Sequence, residues 1–216
     1  YLNSYRTRYK KIKLEDFKHI VESGQKIDIL IGGMMNHFIS NPSEHLGLGG
    51  GMKIDWVYTA RNHLIYGMSI GFYGNKLLKE YPVNTPREHN TAPPTTLIGL
   101  VFGNQYEKFN IQGELSYATQ NITENIGKND PESIQLSGWS PGLVFNFPIK
   151  IGKSKANISP SVPVINENKI NLHLGFRYIK LSIEEATGFM AEFGVSYLIS
   201  TKIISSYTLR DDFWLE

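Results

Sequence analysis

The stretch His45 to Asn75, HLGLGGGMKIDWVYTARNHLIYGMSIGFYGN, decides how the rest of the chain is read. Taken two residues at a time, Leu46, Leu48, Gly50, Met52, Ile54, Trp56 and Tyr58 form an apolar row. Gly47, Gly49, Gly51, Lys53 and Asp55 form a small or charged one. After Ala60 to His63 the alternation resumes, with Leu64, Tyr66, Met68, Ile70 and Phe72 against Gly67, Ser69 and Gly71. A period of two marks strands, and the break predicts a hairpin with a three-residue turn at Ala60 to Asn62. In a water-soluble sheet the apolar row is the hidden one. Here the glycine and charged row suits a crowded polar interior, and the long apolar row, aromatic toward its end, suits lipid.

Composition bounds the remainder. A chain of 216 residues with 41% hydrophobic content can form one all-β domain. It lacks the run of about 18 apolar residues that a transmembrane helix needs, a test that does not bear on barrels, whose strands span with about 9 to 11 residues. A net charge of +2 is too small a surplus to indicate nucleic acid as a partner. Cysteine is absent, which removes disulfides, thiol nucleophiles and thiolate metal sites. The chain opens on Tyr1 rather than on a charged and then apolar leader, as expected of a processed chain.

Working outward from the hairpin, the sequence divides into a basic arm and short helix over 1–25, a barrel over 26–201 and a tail over 202–216. In the arm, Leu14, Phe17, Ile20 and Val21 share a helical stripe with Gly24 at the C-cap position, predicting a short amphipathic helix over Leu14 to Glu22. Further strands are expected at Ile27 to Ile39, Thr95 to Gly103, Phe109 to Ile122, Leu136 to Phe147, Lys169 to Leu181 and Gly188 to Ser200. The segment Pro148 to Asn168 reads either as one long turn or as two more short strands, so the count is eight or ten. The connections after the third and fifth strands are long and polar and those after the second and fourth short, the asymmetry of membrane barrels. Aromatic residues gather at two depths. Trp56, Tyr58, Tyr66, Phe102, Phe109, Phe145 and Phe147 fall toward the short turns, and Trp139 with Phe72, Tyr117 and Phe189 toward the long loops, as two bilayer interfaces favour.

On these features the chain resembles the small outer-membrane β-barrels of Gram-negative bacteria, of the OmpA/OmpX type in the broad sense, over roughly Lys26 to Thr201. The last regular strand is also similar to the assembly signal of that class, through Glu192, Gly194, Tyr197 and Ile199, although the chain runs on to Glu216 instead of ending on the aromatic residue. The resemblance implies a closed antiparallel up-and-down barrel inserted by the assembly machinery and located in the outer membrane, in contact with outer-membrane lipid and lipopolysaccharide; the basic arm, amphipathic leader and extra C-terminal segment motivate other envelope proteins as docking partners.

Chemistry is sparser. The inward set Lys53, Asp55, Glu114, His173, Arg177 and Glu192 is expected to form a charged network that fills the lumen, with Arg177 directly opposite Glu192 if the last hairpin is centred between Glu184 and Glu185. The other reading of the same set is a gated pore or a ligand site. His37, His45 and His89 with Ser43, Glu44 and Glu88 provide triad-type residues, but their spacing selects no triad, and His37 with His45 lacks a third metal ligand. Gly49 to Gly51 sits inside a strand and is no phosphate loop, and the glycan-type triplets at Asn121 and Asn157 carry no weight in a bacterial protein. The reading is therefore of a protein with no catalytic residues, no cofactor and no metal: a non-enzymatic structural or accessory subunit of a larger envelope assembly. The alternatives are a small pore or transporter, and a soluble lipocalin-like carrier that would need apolar residues inside and polar ones outside.

Overall fold

The computed structural model describes residues 14–79, 94–123, 133–158 and 163–210. Eight antiparallel strands follow one another around a closed ring: β1 (Phe17–Phe38), β2 (Leu46–Thr59), β3 (Leu64–Leu77), β4 (Thr95–Gln105), β5 (Asn110–Thr123), β6 (Ser133–Ile158), β7 (Pro163–Ile179) and β8 (Gly188–Leu209). Each strand pairs with its sequence neighbour, and β8 pairs with β1 to close the barrel. Following the paired residues from Asp28 through Val57, Gly67, Val101, Glu114, Gly142, Arg177 and Met190 leads back to β1 at Phe38, ten residues beyond the start. That stagger tilts the strands by about 40° and leaves an interior just wide enough to be filled by side chains.

The alternation read from the sequence sets which residues face which way. On β2, Met52 and Trp56 are exposed while Lys53, Asp55 and Val57 are buried. On β3, Tyr66, Met68 and Phe72 point out, and Ile65, Ser69 and Tyr73 point in. The turn between them holds hydrogen bonds from Ala60 N to Leu64 O and from His63 N to Ala60 O, with His63 at φ 67°. It is a three-residue turn closed by a left-handed residue, centred one position later than the sequence suggested.

Four expectations change. The amphipathic helix over Leu14 to Glu22 reduces to a single 3-10 turn, Leu14–Asp16, after which Phe17 already belongs to β1. Isoleucine and valine at those positions fit a strand as well as a helical stripe, and β8 supplies a partner as far down as Leu209. Gly24 is not a helix cap: its φ of +77° falls where the β1–β8 register slips between Glu22 and Lys26. Leu46 is fully buried instead of lying on the outer row, because the β2–β3 register shifts between Leu46 and Gly49. Pro148 to Asn168 is neither a long turn nor an extra pair of strands. It continues β6 and begins β7, with Gly152 at φ +72° inside the register shift between Ile151 and Lys155.

As a result β6, β7, β8 and β1 outrun their neighbours on the turn side and form a four-stranded extension below the ring. The expected basic arm over Tyr1 to Lys13 and the end of the tail beyond Arg210 lie outside the described residues, as do His89, Glu88 and most of the two long loops.

Candidate functional site

The site with the greatest concentration of chemistry is the lumen, stacked in three layers by the inward residues of each strand. At the loop end, Met34, Phe38, Leu46, Tyr73, Leu97, Leu136, Ile179 and Met190 belong to one buried apolar cluster. Toward the turns, Leu30, Val57, Ile65, Val101 and Leu198 form a second. Between them β2, β5, β7 and β8 deliver Lys53, Asp55, Glu114, His173, Arg177 and Glu192, each at most 3% exposed.

These six side chains meet. Lys53 Nζ donates to Glu114 Oε1, and Asp55 lies 3.8 Å from the same ammonium. Arg177 Nη2 donates to Glu114 Oε2 at 2.8 Å and to Glu192 Oε1 at 2.5 Å, so one guanidinium joins two carboxylates from two strands. His173 Nε2 stands 3.3 Å from Glu192 Oε1. The register differs from the one expected. Arg177 pairs with Met190, and the residue opposite Glu192 is Gly175. Arg177 thus reaches Glu192 along the diagonal, within the range of long side chains. Gly175 makes that possible, since a Cβ there would come within 2.5 Å of the Glu192 side chain.

Sequence reading missed Tyr73, whose hydroxyl donates to Glu192 Oε2 at 2.6 Å. Its parity with Ser69 and Gly71 places it inward, a signal hidden by the habit of assigning aromatics to the lipid face. It also missed the neutral ladder nearer the turns, in which Asn171 Nδ2 donates to Asn146 Oδ1 at 2.8 Å and Asn146 Nδ2 to Gln112 Oε1 at 2.7 Å.

The exterior is the reverse of a soluble protein's. Trp56 is 63% exposed, Leu100 62%, Trp139 59% and Phe102 57%. Tyr66 is exposed and Phe147 borders on it, while Tyr58, Phe109 and Phe145 are half-buried among their neighbours. Phe193, Tyr197 and Ile199 line the outside of β8, with Glu192 and Gly194 on its inner face. A lipocalin-like carrier needs the opposite polarity on both faces.

A second charged cluster lies in the extension below the ring. Glu167 accepts from Lys169 at 3.1 Å and Lys150 at 3.3 Å, has Lys202 3.4 Å away, and receives the Ser154 hydroxyl at 3.3 Å. Burial raises the Glu167 carboxyl, but hydrogen bonding to Lys169 and the charges of Lys169 and Lys202 outweigh it and bring the pKa down to about 2. Burial lowers the Lys202 ammonium, yet Glu22 and Glu167 beside it leave it raised.

The residues considered for catalysis do not converge. His37 points outward near the end of β1, Ser43 and Glu44 belong to a 3-10 turn (Asn41–Glu44), and His45 is buried with Nδ1 3.2 Å from the Lys79 carbonyl. Among the described residues, no three His, Cys, Asp or Glu gather as a metal site.

A closed antiparallel barrel of eight strands, apolar outside and charged within, is the architecture of the small outer-membrane barrels. No known family matches the sequence, and no curated protein matches it either. Solved structures that are similar in fold include Neisserial surface protein A, at 10% identity and a TM-score of 0.46, covering 83% of this chain and 97% of that one. The attachment invasion locus protein Ail of Yersinia pestis is similar at 13% identity and a TM-score of 0.44, over 83% of this chain and 98% of that one. The N-terminal β-barrel domain of OprF from Pseudomonas aeruginosa is similar at 14% identity and a TM-score of 0.42, over 79% and 96%.

Proposed function

We propose that the chain is an integral outer-membrane β-barrel with a sealed lumen, and that it serves as a non-enzymatic structural or accessory component of the envelope. The observation that carries this reading is the inverted polarity: Trp56, Leu100 and Phe102 bare on the outside, Arg177, Lys53 and Glu114 buried inside. Each apolar side chain of that size costs about 1.5–3 kcal/mol to leave in water, and a belt of them around the whole ring is stable only in lipid. The sealed interior favours an accessory role over a pore. The charged layer is capped on the loop side by the larger apolar cluster and closed on the turn side by the smaller one together with the Gln112–Asn146–Asn171 ladder, and an ion would have to displace these as well as break the contacts of Arg177.

The extension below the ring is more sheet than a free-standing barrel requires, and its three lysines Lys150, Lys169 and Lys202 outnumber the two acids they pair with, Glu167 and Glu22, which makes it a docking face for an acidic envelope partner. Outer-membrane lipid and lipopolysaccharide contact the belt, and Glu192, Gly194, Tyr197 and Ile199 on β8 are the residues the assembly machinery would read. Planar-bilayer recording of the refolded protein tests the sealed lumen: electrical silence is expected, and steady conductance would refute it. Extraction in mild detergent followed by mass spectrometry tests docking, which fails if the protein is recovered only as a lone monomer.

A further inference from the structure

The lipid-facing belt has a notch on the turn side. One row of outward positions runs across four strands as Tyr66, Phe102, Gly113 and Leu143, each paired with the next. Three carry large apolar side chains and the fourth carries none. The Phe102 ring leans over Gly113, where a Cβ would meet it at 2.6 Å. Beside the ring lies an open groove of about 450 Å³ lined by Leu64, Tyr66, Phe102, Tyr106, Ile111 and Leu143. Its lower wall is stiff, because the Tyr106 ring stacks on Phe109 with centroids 4.9 Å apart.

Directly below the notch lie two turns bound to each other, Gln105 N donating to His63 O at 2.8 Å. They carry Arg61 and His63 on one side and Lys108 on the other, all exposed, with Glu107 as the acid among them. Apolar surface above and cationic groups below, at the depth where a bilayer changes from acyl chain to headgroup, match one amphiphile of opposite charge.

We propose that the notch binds one anionic phospholipid of the turn-side leaflet, an acyl chain lying along the Phe102 ring between Tyr66, Ile111 and Leu143 and the phosphate held by Arg61 and Lys108. The proposal rests on the membrane reading above. Guanidinium and ammonium donors form charge-assisted hydrogen bonds to phosphate oxygens, and the Phe102 ring, folded over Gly113, gives the chain a flat apolar floor to lie against. A zwitterionic lipid fits the notch but leaves the extra positive charge unmatched. The site therefore selects by headgroup and gains affinity by chain.

The test uses the full chain purified in mild detergent and titrated, under native mass spectrometry, with phosphatidylglycerol or phosphatidylethanolamine. Retention of a single phosphatidylglycerol, in preference to phosphatidylethanolamine, is expected. Arg61→Gln with Lys108→Gln, both on exposed turns, should weaken phosphatidylglycerol about tenfold and erase the preference. Gly113→Leu, which drives the Phe102 ring off the strand and into the groove, should reduce retention of both lipids, with heat-dependent mobility on gels confirming that this variant still folds. Equal retention of the two lipids by the native chain, an unchanged preference in the double variant, or displacement of the lipid by excess inorganic phosphate would overturn the site. Flotation with phosphatidylcholine vesicles separates the two layers of argument. A chain that floats but shows no headgroup preference loses only this site, whereas one that does not float removes the membrane reading and the site together.

Discussion

Replacing Arg177 by Met should destabilise the barrel by about 3 kcal/mol. Breaking a buried charge pair by removing one partner typically costs about 3–5 kcal/mol, because the surviving charge stays buried without compensation. Arg177 is the sole bridge between Glu114 and Glu192 among the contacts described, at 2.8 and 2.5 Å, and its side chain is fully enclosed. The loss falls at the low end of that range, since Glu114 retains Lys53 and Glu192 retains the Tyr73 hydroxyl at 2.6 Å. Met keeps most of the stem volume, so that the cavity left is small. Urea unfolding from lipid vesicles, followed by Trp56 and Trp139 fluorescence, gives the difference as a shift in midpoint at constant slope. Adding Glu192→Gln to Arg177→Met should recover about 1–2 kcal/mol by removing the carboxylate left uncompensated. If the single variant unfolds within about 0.5 kcal/mol of the native chain, the lumen is wetter than described and the network argument fails.

On the exterior, Leu100→Arg tests the membrane reading, because an exposed leucine in water tolerates arginine whereas one at mid-bilayer costs about 2–4 kcal/mol; failure to insert or a lowered urea midpoint is expected, and an unaffected midpoint would count against lipid around β4. Below the ring, Glu167→Gln should destabilise the extension at neutral pH. The Glu167 carboxyl titrates at about 2 in the folded protein against 4.5 as reference, so its contribution is complete above pH 4.5 and disappears as pH falls toward 2. The stability difference between native chain and variant should narrow over that interval, and a difference constant with pH would refute the lysine cluster as its cause.

Much of this was legible from parity alone. In β2, β5, β7 and β8 every second residue is fixed to one face, so Lys53, Glu114, His173, Arg177 and Glu192 could be assigned to the interior without any tertiary information. What parity cannot carry is a change of phase. The register shift beside Leu46, the left-handed Gly152 in β6 and the slip around Gly24 in β1 each insert residues that break the count, and it was there that an outward leucine, a long turn and a helix were expected. Register across strands is equally invisible locally. A displacement of two residues in the β7–β8 pairing turned a face-to-face Arg177 and Glu192 into a diagonal contact over Gly175. The lysine cluster around Glu167 was missed for a related reason: its members come from three strands whose lower ends were read as turn and tail.

The pairing of β1 with β8 carries a consequence for biogenesis. Phe17 lies beside Leu209 and Phe38 beside Met190, so the first strand has the eighth as one of its two neighbours. No shortened or half-synthesised chain can satisfy both edges of β1, and each unsatisfied edge is an invitation to wrong partners. Ring closure is thus deferred until β8 has been made, and until then both edges of the sheet have to be kept from pairing with other copies. Deleting β8 would leave an open sheet with two adhesive margins rather than a slightly weaker barrel.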